Sequence, residues 1–113
     1  MRFVIHRDVF AEAVSFAVKL LPQRSTLPIL TGVRIEAAAG SVTLSTFDYE
    51  VSATTSVQAD VETEGTVLVS GRLLSDIAGR LPQREIVVEE ADGIVKVQCG
   101  SAKFTLLKMP IEE

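Results

Sequence analysis

The chain is poor in the side chains that build reactive centres. Its 113 residues hold one cysteine, Cys99, and one histidine, His6. A single cysteine excludes an internal disulfide, which fits a reducing cytoplasm. No apolar run approaches the roughly 18 residues of a membrane span, and "MRFVIHRDVF" carries charge where a signal peptide needs apolar residues. Metal-ligand spacing is missing as well: Glu36, Asp48, Glu50, Glu89, Glu90 and Asp92 fall on turns and alternating strand positions, as in a solvated acidic rim. "VSGRLL" lacks the further glycines and the lysine of a phosphate loop. His6 has no nucleophile beside it and reads as structural. Cys99 lies in phase with Val95 and Val97 and reads as a buried packing thiol. These gaps leave no catalytic constellation, no metal site and no cofactor site. The net charge of −4 argues against a generally basic, nucleic-acid-coating protein, so the placement of the arginines matters more than their number.

What is present is a repeated plan. Hydrophobic residues make up 47% of the chain, enough to bury a core at this length. "RFVIH" alternates as a strand. Asp8 is placed to cap a helix whose apolar face runs Phe10, Ala13, Val14, Ala17 and Leu21, with Glu12, Ser15 and Lys19 opposite. Phe16 has no place in that pattern. Pro22 ends the helix. Three strand-like runs follow, "TGVRIEA", "SVTLSTF" and "EVSATTSV", then an acidic stretch, "DVETEG" at 60–65, that reads as a connector. The plan then returns: strand "TVLVS", cap Ser70, a helix over 71–81 with Leu73, Leu74, Ile77, Ala78 and Leu81 on its apolar side, and strands "EIVVEE", "GIVKVQC" and "AKFTLLK". Even the corner "LPQR" recurs, at 21–24 and 81–84. Two strand–helix–three-strand units, about 1–60 and 66–109, predict one α+β domain with two helices side by side over antiparallel sheet.

Two surface features carry candidate chemistry. Arg72, Asp76 and Arg80 are spaced by four, either as an ion-pair ladder along the helix or as part of a cationic helix layer with Lys19, Arg24 and Arg84. The pattern alone leaves both open. On the last strand, Phe104 and Leu106 share one face and Lys103 and Thr105 the other; a terminal strand is also a sheet edge, which needs covering or invites pairing.

At "RSTLPILTGV", "LSTFDYEVSA" and "VSGRLLSDIAGRLP" the chain resembles the N-terminal domain of the bacterial DNA sliding clamp, the beta subunit of DNA polymerase III. The likeness runs from "RFVIHRDVF" to "KFTLLKMPIEE"; "TLPIL" with "DYE" downstream is its most specific part. The resemblance implies a non-catalytic processivity factor. Three such domains per subunit, in a head-to-tail homodimer, would ring duplex DNA with helices inside and sheets outside. It implies that Arg24, Arg72 and Arg80 meet the phosphate backbone, and that Phe104, Leu106, Lys103 and Leu73 lie at the subunit contact. The polymerase catalytic subunit and the clamp loader would bind through domains beyond this chain, in the cytoplasm and without a membrane. Two other readings compete: a small α+β interaction module unrelated to DNA, and a hydrolase or transferase with its site at the turns near Asp48 and Asp92.

Overall fold

The computed structural model describes residues 1–19, 32–47, 52–82 and 84–109, with the side chains of 19, 47, 52 and 53 left out. In chain order the elements are β1 (Arg2–His6), α1 (Arg7–Lys19), β2 (Gly32–Ala38), β3 (Ser41–Phe47), β4 (Ser52–Gln58), β5 (Asp60–Thr63), β6 (Gly65–Ser70), α2 (Gly71–Ala78), β7 (Glu85–Ala91), β8 (Ile94–Cys99) and β9 (Ala102–Leu107).

The sheet expected beneath the helices is two antiparallel sheets, ordered β5-β1-β7-β8-β9 and β4-β3-β2-β6. Each takes three consecutive strands from one half of the chain and a first strand from the other: β1 pairs with β7, and β6 pairs with β2. Strand periodicity shows which face is buried but not which partner lies alongside, so this exchange is absent from the local pattern. The "DVETEG" connector is corrected too. Its first four residues form β5, which extends the larger sheet beyond β1 through Phe3↔Val61 and Val4↔Asp60. Asp60 and Glu62 are the charges expected on a short, protected edge strand.

Local chemistry explains the helix ends. At α1 the expected cap is displaced by two residues: His6 Nδ1 accepts from the Asp8 backbone N–H at 3.2 Å, and Asp8 sits inside the first turn. There its carboxylate meets the positive end of the helix dipole and pairs with Arg7 at 3.2 Å. The structural reading of His6 therefore holds. At α2 Ser70 is the cap, its hydroxyl accepting from the Leu73 N–H at 3.3 Å. α2 stops at Ala78, three residues before the expected end, with Gly79 closing it.

Buried positions in the two halves correspond. Phe3, Ile5, Phe10, Ala13, Val14 and Ala17 recur 64 residues later as Val67, Val69, Leu74, Ile77, Ala78 and Leu81, all in the core. The two helices pack against each other, α1 also against β4, β3 and β1, and α2 against β6 and β9. Leu73, expected on the apolar side of α2, is instead 51% exposed. It lies 100° from Leu74 around the helix, which carries it past the margin of the buried stripe. Cys99 is fully buried, its thiol donating to the Pro82 carbonyl at 3.4 Å.

Candidate nucleic-acid interface

The ion-pair ladder on α2 does not form. Arg72, Asp76 and Arg80 are all exposed, and no carboxylate among the described residues pairs with either arginine. Arg72 stands in the first turn of α2, a turn that contains no acidic residue. A cation there faces the positive end of the helix dipole, which opposes it by about 0.3–1 kcal/mol. Arg80 lies just past the Gly79 cap, with its backbone N–H bonded to the Ile77 carbonyl at 2.9 Å. Both guanidiniums are therefore available to an external anion, and Arg72 is held where it weakens its own helix.

The same positions in α1 look different. Sixty-four residues before Arg72, Leu73, Asp76 and Arg80 stand Asp8, Val9, Glu12 and Phe16, all exposed. These positions of α1 are thus acidic and apolar, whereas those of α2 and its end carry two arginines beside Asp76 and the exposed Leu73. Arg84 begins the approach to β7; its carbonyl accepts from the Arg7 N–H at 2.9 Å and its side chain lies over Gly100, where an added Cβ would meet Nη1 at 3.2 Å. Arg84 is thereby tied to the β8–β9 turn. Arg24, the Lys19 side chain and Asp48 fall outside the described residues.

At the edge strand β9 the predicted contact residues divide by face. Phe104 is half-buried against the core and Leu106 is within it, 3% exposed. Lys103, Thr105 and Leu107 point the other way. Leu107, at 76%, is the most exposed large hydrophobic side chain described. Sequence reasoning passed over it, although the alternation that grouped Lys103 with Thr105 leads directly to it. Asp92 occupies a hairpin turn with a left-handed φ of 52°. Among the described residues no group of three or more His, Cys, Asp or Glu gathers as a metal site, and no helix is long and apolar enough to cross a membrane.

Comparison with known proteins shows the family and the fold. Residues 1–113 match the family model for the DNA polymerase III beta subunit, N-terminal domain. The chain is 51% identical to the beta sliding clamp of Streptomyces coelicolor over its whole length and 49% identical to that of Micrococcus luteus over 98% of it, spanning 30% and 36% of those proteins. In three dimensions it resembles a DnaN sliding clamp (DNA polymerase III subunit beta) from Bartonella birtlesii, with a TM-score of 0.92 and 32% identity over 97% of this chain and 30% of that one.

Proposed function

Because the chain belongs to the DNA polymerase III beta subunit family, as its N-terminal domain, we propose that it is the first of three like domains in a ring-shaped clamp. Two such subunits close head to tail around duplex DNA and tether the replicative polymerase. The work is mechanical rather than catalytic, and is done in the cytoplasm. The domain's two halves, about 1–60 and 66–109, present α1 and α2 to the hole, where Arg24, Arg72 and Arg80 meet phosphate oxygens. The β9 side, with Lys103, Phe104, Leu106 and Leu73, meets the partner subunit. The polymerase catalytic subunit and the clamp loader bind elsewhere on the ring.

One observation carries this reading: Arg72 in α2 and Arg80 just past its end are exposed without carboxylate partners among the described residues, and Arg72 is set against the helix dipole. Contacts to phosphate hold register without reading bases, which suits a protein that slides. Few contacts suffice because ring closure, rather than affinity, prevents escape. The test is a salt titration of duplex binding by the full-length ring. Each phosphate contact contributes about −0.9 to the slope of log K against log salt. Arg72→Ala should flatten that slope by about 0.9 per subunit engaged; an unchanged slope removes Arg72 from the interface.

A further inference from the structure

His6 ends β1 and opens α1 at the same time. Phe3 and Ile5 of β1 are buried, so the alternation puts His6 on the outer face of the larger sheet, where it is exposed. Its ring still has a backbone partner. Nδ1 accepts from the Asp8 N–H at 3.2 Å, one of the donors that the first turn of a helix leaves without an internal acceptor. That bond needs a lone pair on Nδ1, so the neutral ring carries its hydrogen on Nε2. Ser70 holds the same place before α2, 64 residues on, and caps it through a hydroxyl oxygen. The hydroxyl accepts at any physiological pH. An imidazole does not, because it takes up a second proton between about pH 8 and about pH 5. A proton on Nδ1 abolishes the acceptor.

A second partner waits for the charged ring. β1 and β7 pair with His6 opposite Glu85, and both side chains are exposed on the outer face. Such neighbours stand about 4.5–5.5 Å apart at Cβ. The Glu85 carboxylate has no cation partner among the described residues. The other charges around the ring are placed differently. Arg7 and Asp8 of α1 pair with each other at 3.2 Å. The Arg84 side chain lies over Gly100. Asp60 of β5 stands opposite Val4, two residues back along β1. The positive end of the α1 dipole disfavours a cation at the cap, whereas the carboxylate opposite favours one on the sheet.

We propose that His6 is a pH-operated latch between α1 and β7. Neutral, it holds the first turn of α1 through the Asp8 N–H. Protonated, it releases that turn and pairs with the Glu85 carboxylate. The proton comes from solvent and settles on Nδ1, and the Asp8 N–H exchanges its nitrogen acceptor for water. Beyond the first turn α1 stays in place, anchored by the buried Phe10, Ala13, Val14 and Ala17. No nucleic acid takes part, so this inference and the clamp reading can each fail without the other.

The test is an NMR titration of the 113-residue chain from about pH 8 to about pH 5. At the alkaline end the His6 nitrogen shifts should report a hydrogen on Nε2 and none on Nδ1. On acidification the Asp8 amide resonance should move together with the imidazole. Its protection from hydrogen exchange, corrected for the intrinsic rate, should fall about fivefold, the weight of a typical cap. The Leu73 amide, capped by Ser70, is the internal reference and should keep its protection. His6→Asn supplies an oxygen that accepts at every pH, so Asp8 protection should stay constant. Glu85→Gln should keep the bond at the alkaline end and move the midpoint of the change to lower pH, since the charged ring loses its carboxylate. Both variants alter exposed side chains, so their folds persist, which circular dichroism checks. A hydrogen on Nδ1 at the alkaline end overturns the latch. So does an Asp8 amide that ignores the imidazole, or an undiminished change in His6→Asn. An unmoved midpoint in Glu85→Gln overturns the pairing with β7.

Discussion

The first and second halves of this chain use one backbone plan for different surfaces. The six pairs of buried residues matched above correspond at one spacing, yet what faces outward does not. α1 carries Asp8 in its first turn, where the dipole favours it; α2 carries Arg72 at the same place, where the dipole opposes it. β4 is an uncharged edge, and β9 an edge marked by Lys103. The β2–β3 hairpin turns through Ala39-Gly40 and the β7–β8 hairpin through Asp92-Gly93, with φ positive at all four residues. Packing tolerates little variation between the halves, because a core position admits few shapes. The outer positions are free to diverge, so differences there record use rather than folding.

The comparison breaks most sharply in the core. Phe10 and Leu74 are fully buried equivalents, and truncating either to alanine should cost several kcal/mol, about 3–5 for Phe10 and about 2–5 for Leu74. Denaturant unfolding should show a single cooperative transition lowered in both variants. Two transitions would mean that the halves are independent, contrary to the shared core.

A smaller effect lies in the turns. Ala39 holds a left-handed φ of 52° on the exposed surface, a conformation that asparagine accepts far more readily. Ala39→Asn should raise stability by about 1 kcal/mol. The reverse experiment at the other turn, Asp92→Ala, should lower it by a similar amount. Thermal melts of the two variants should move in opposite directions.

Smaller again is the helix dipole. Arg72→Ala should stabilise the fold by about 0.3–1 kcal/mol while weakening duplex binding. Asp8→Ala should only destabilise. A loss of stability in both would remove the argument that Arg72 is held against its helix.

The least effect concerns Glu90. Its carboxylate accepts from Lys108 at 2.9 Å and lies 3.8 Å from the Met1 ammonium, and the Lys108 hydrogen bond holds its pKa below the usual carboxylate range. A depressed pKa gives stability that is present at neutral pH and lost as pH falls through the folded value. The fall in melting temperature on acidification should therefore be shallower in Glu90→Gln. Ala37, which precedes the Ala39-Gly40 turn by two residues as Glu90 precedes Asp92-Gly93, is buried and uncharged.

Much of this was legible in the sequence. The helix faces, the Ser70 cap, the buried thiol and the hairpin turns follow from periodicity and turn chemistry, and the strand pattern gave the antiparallel α+β plan. Three features were hidden, each for a physical reason. β5 reads as a connector because the charges that protect a short edge strand are those that mark a solvated loop. Leu73 reads as core because adjacent leucines straddle the margin of a helical stripe. The exchange of first strands leaves no local trace, since β1 would alternate identically beside any partner. At the site, the spacing of Arg72, Asp76 and Arg80 served two readings equally, and only the absence of a pairing carboxylate among the described residues favoured the cationic one.

The exchange also sets an order of assembly during synthesis. β1 ends at His6 and β5 can pair with one of its edges from residue 60 onward, but the ladder on its other edge waits for β7, which begins at residue 85. Such distant pairing slows folding. A chain cut short just before residue 85 would hold every strand of the smaller sheet but would leave the β7-facing edge of β1 unpaired.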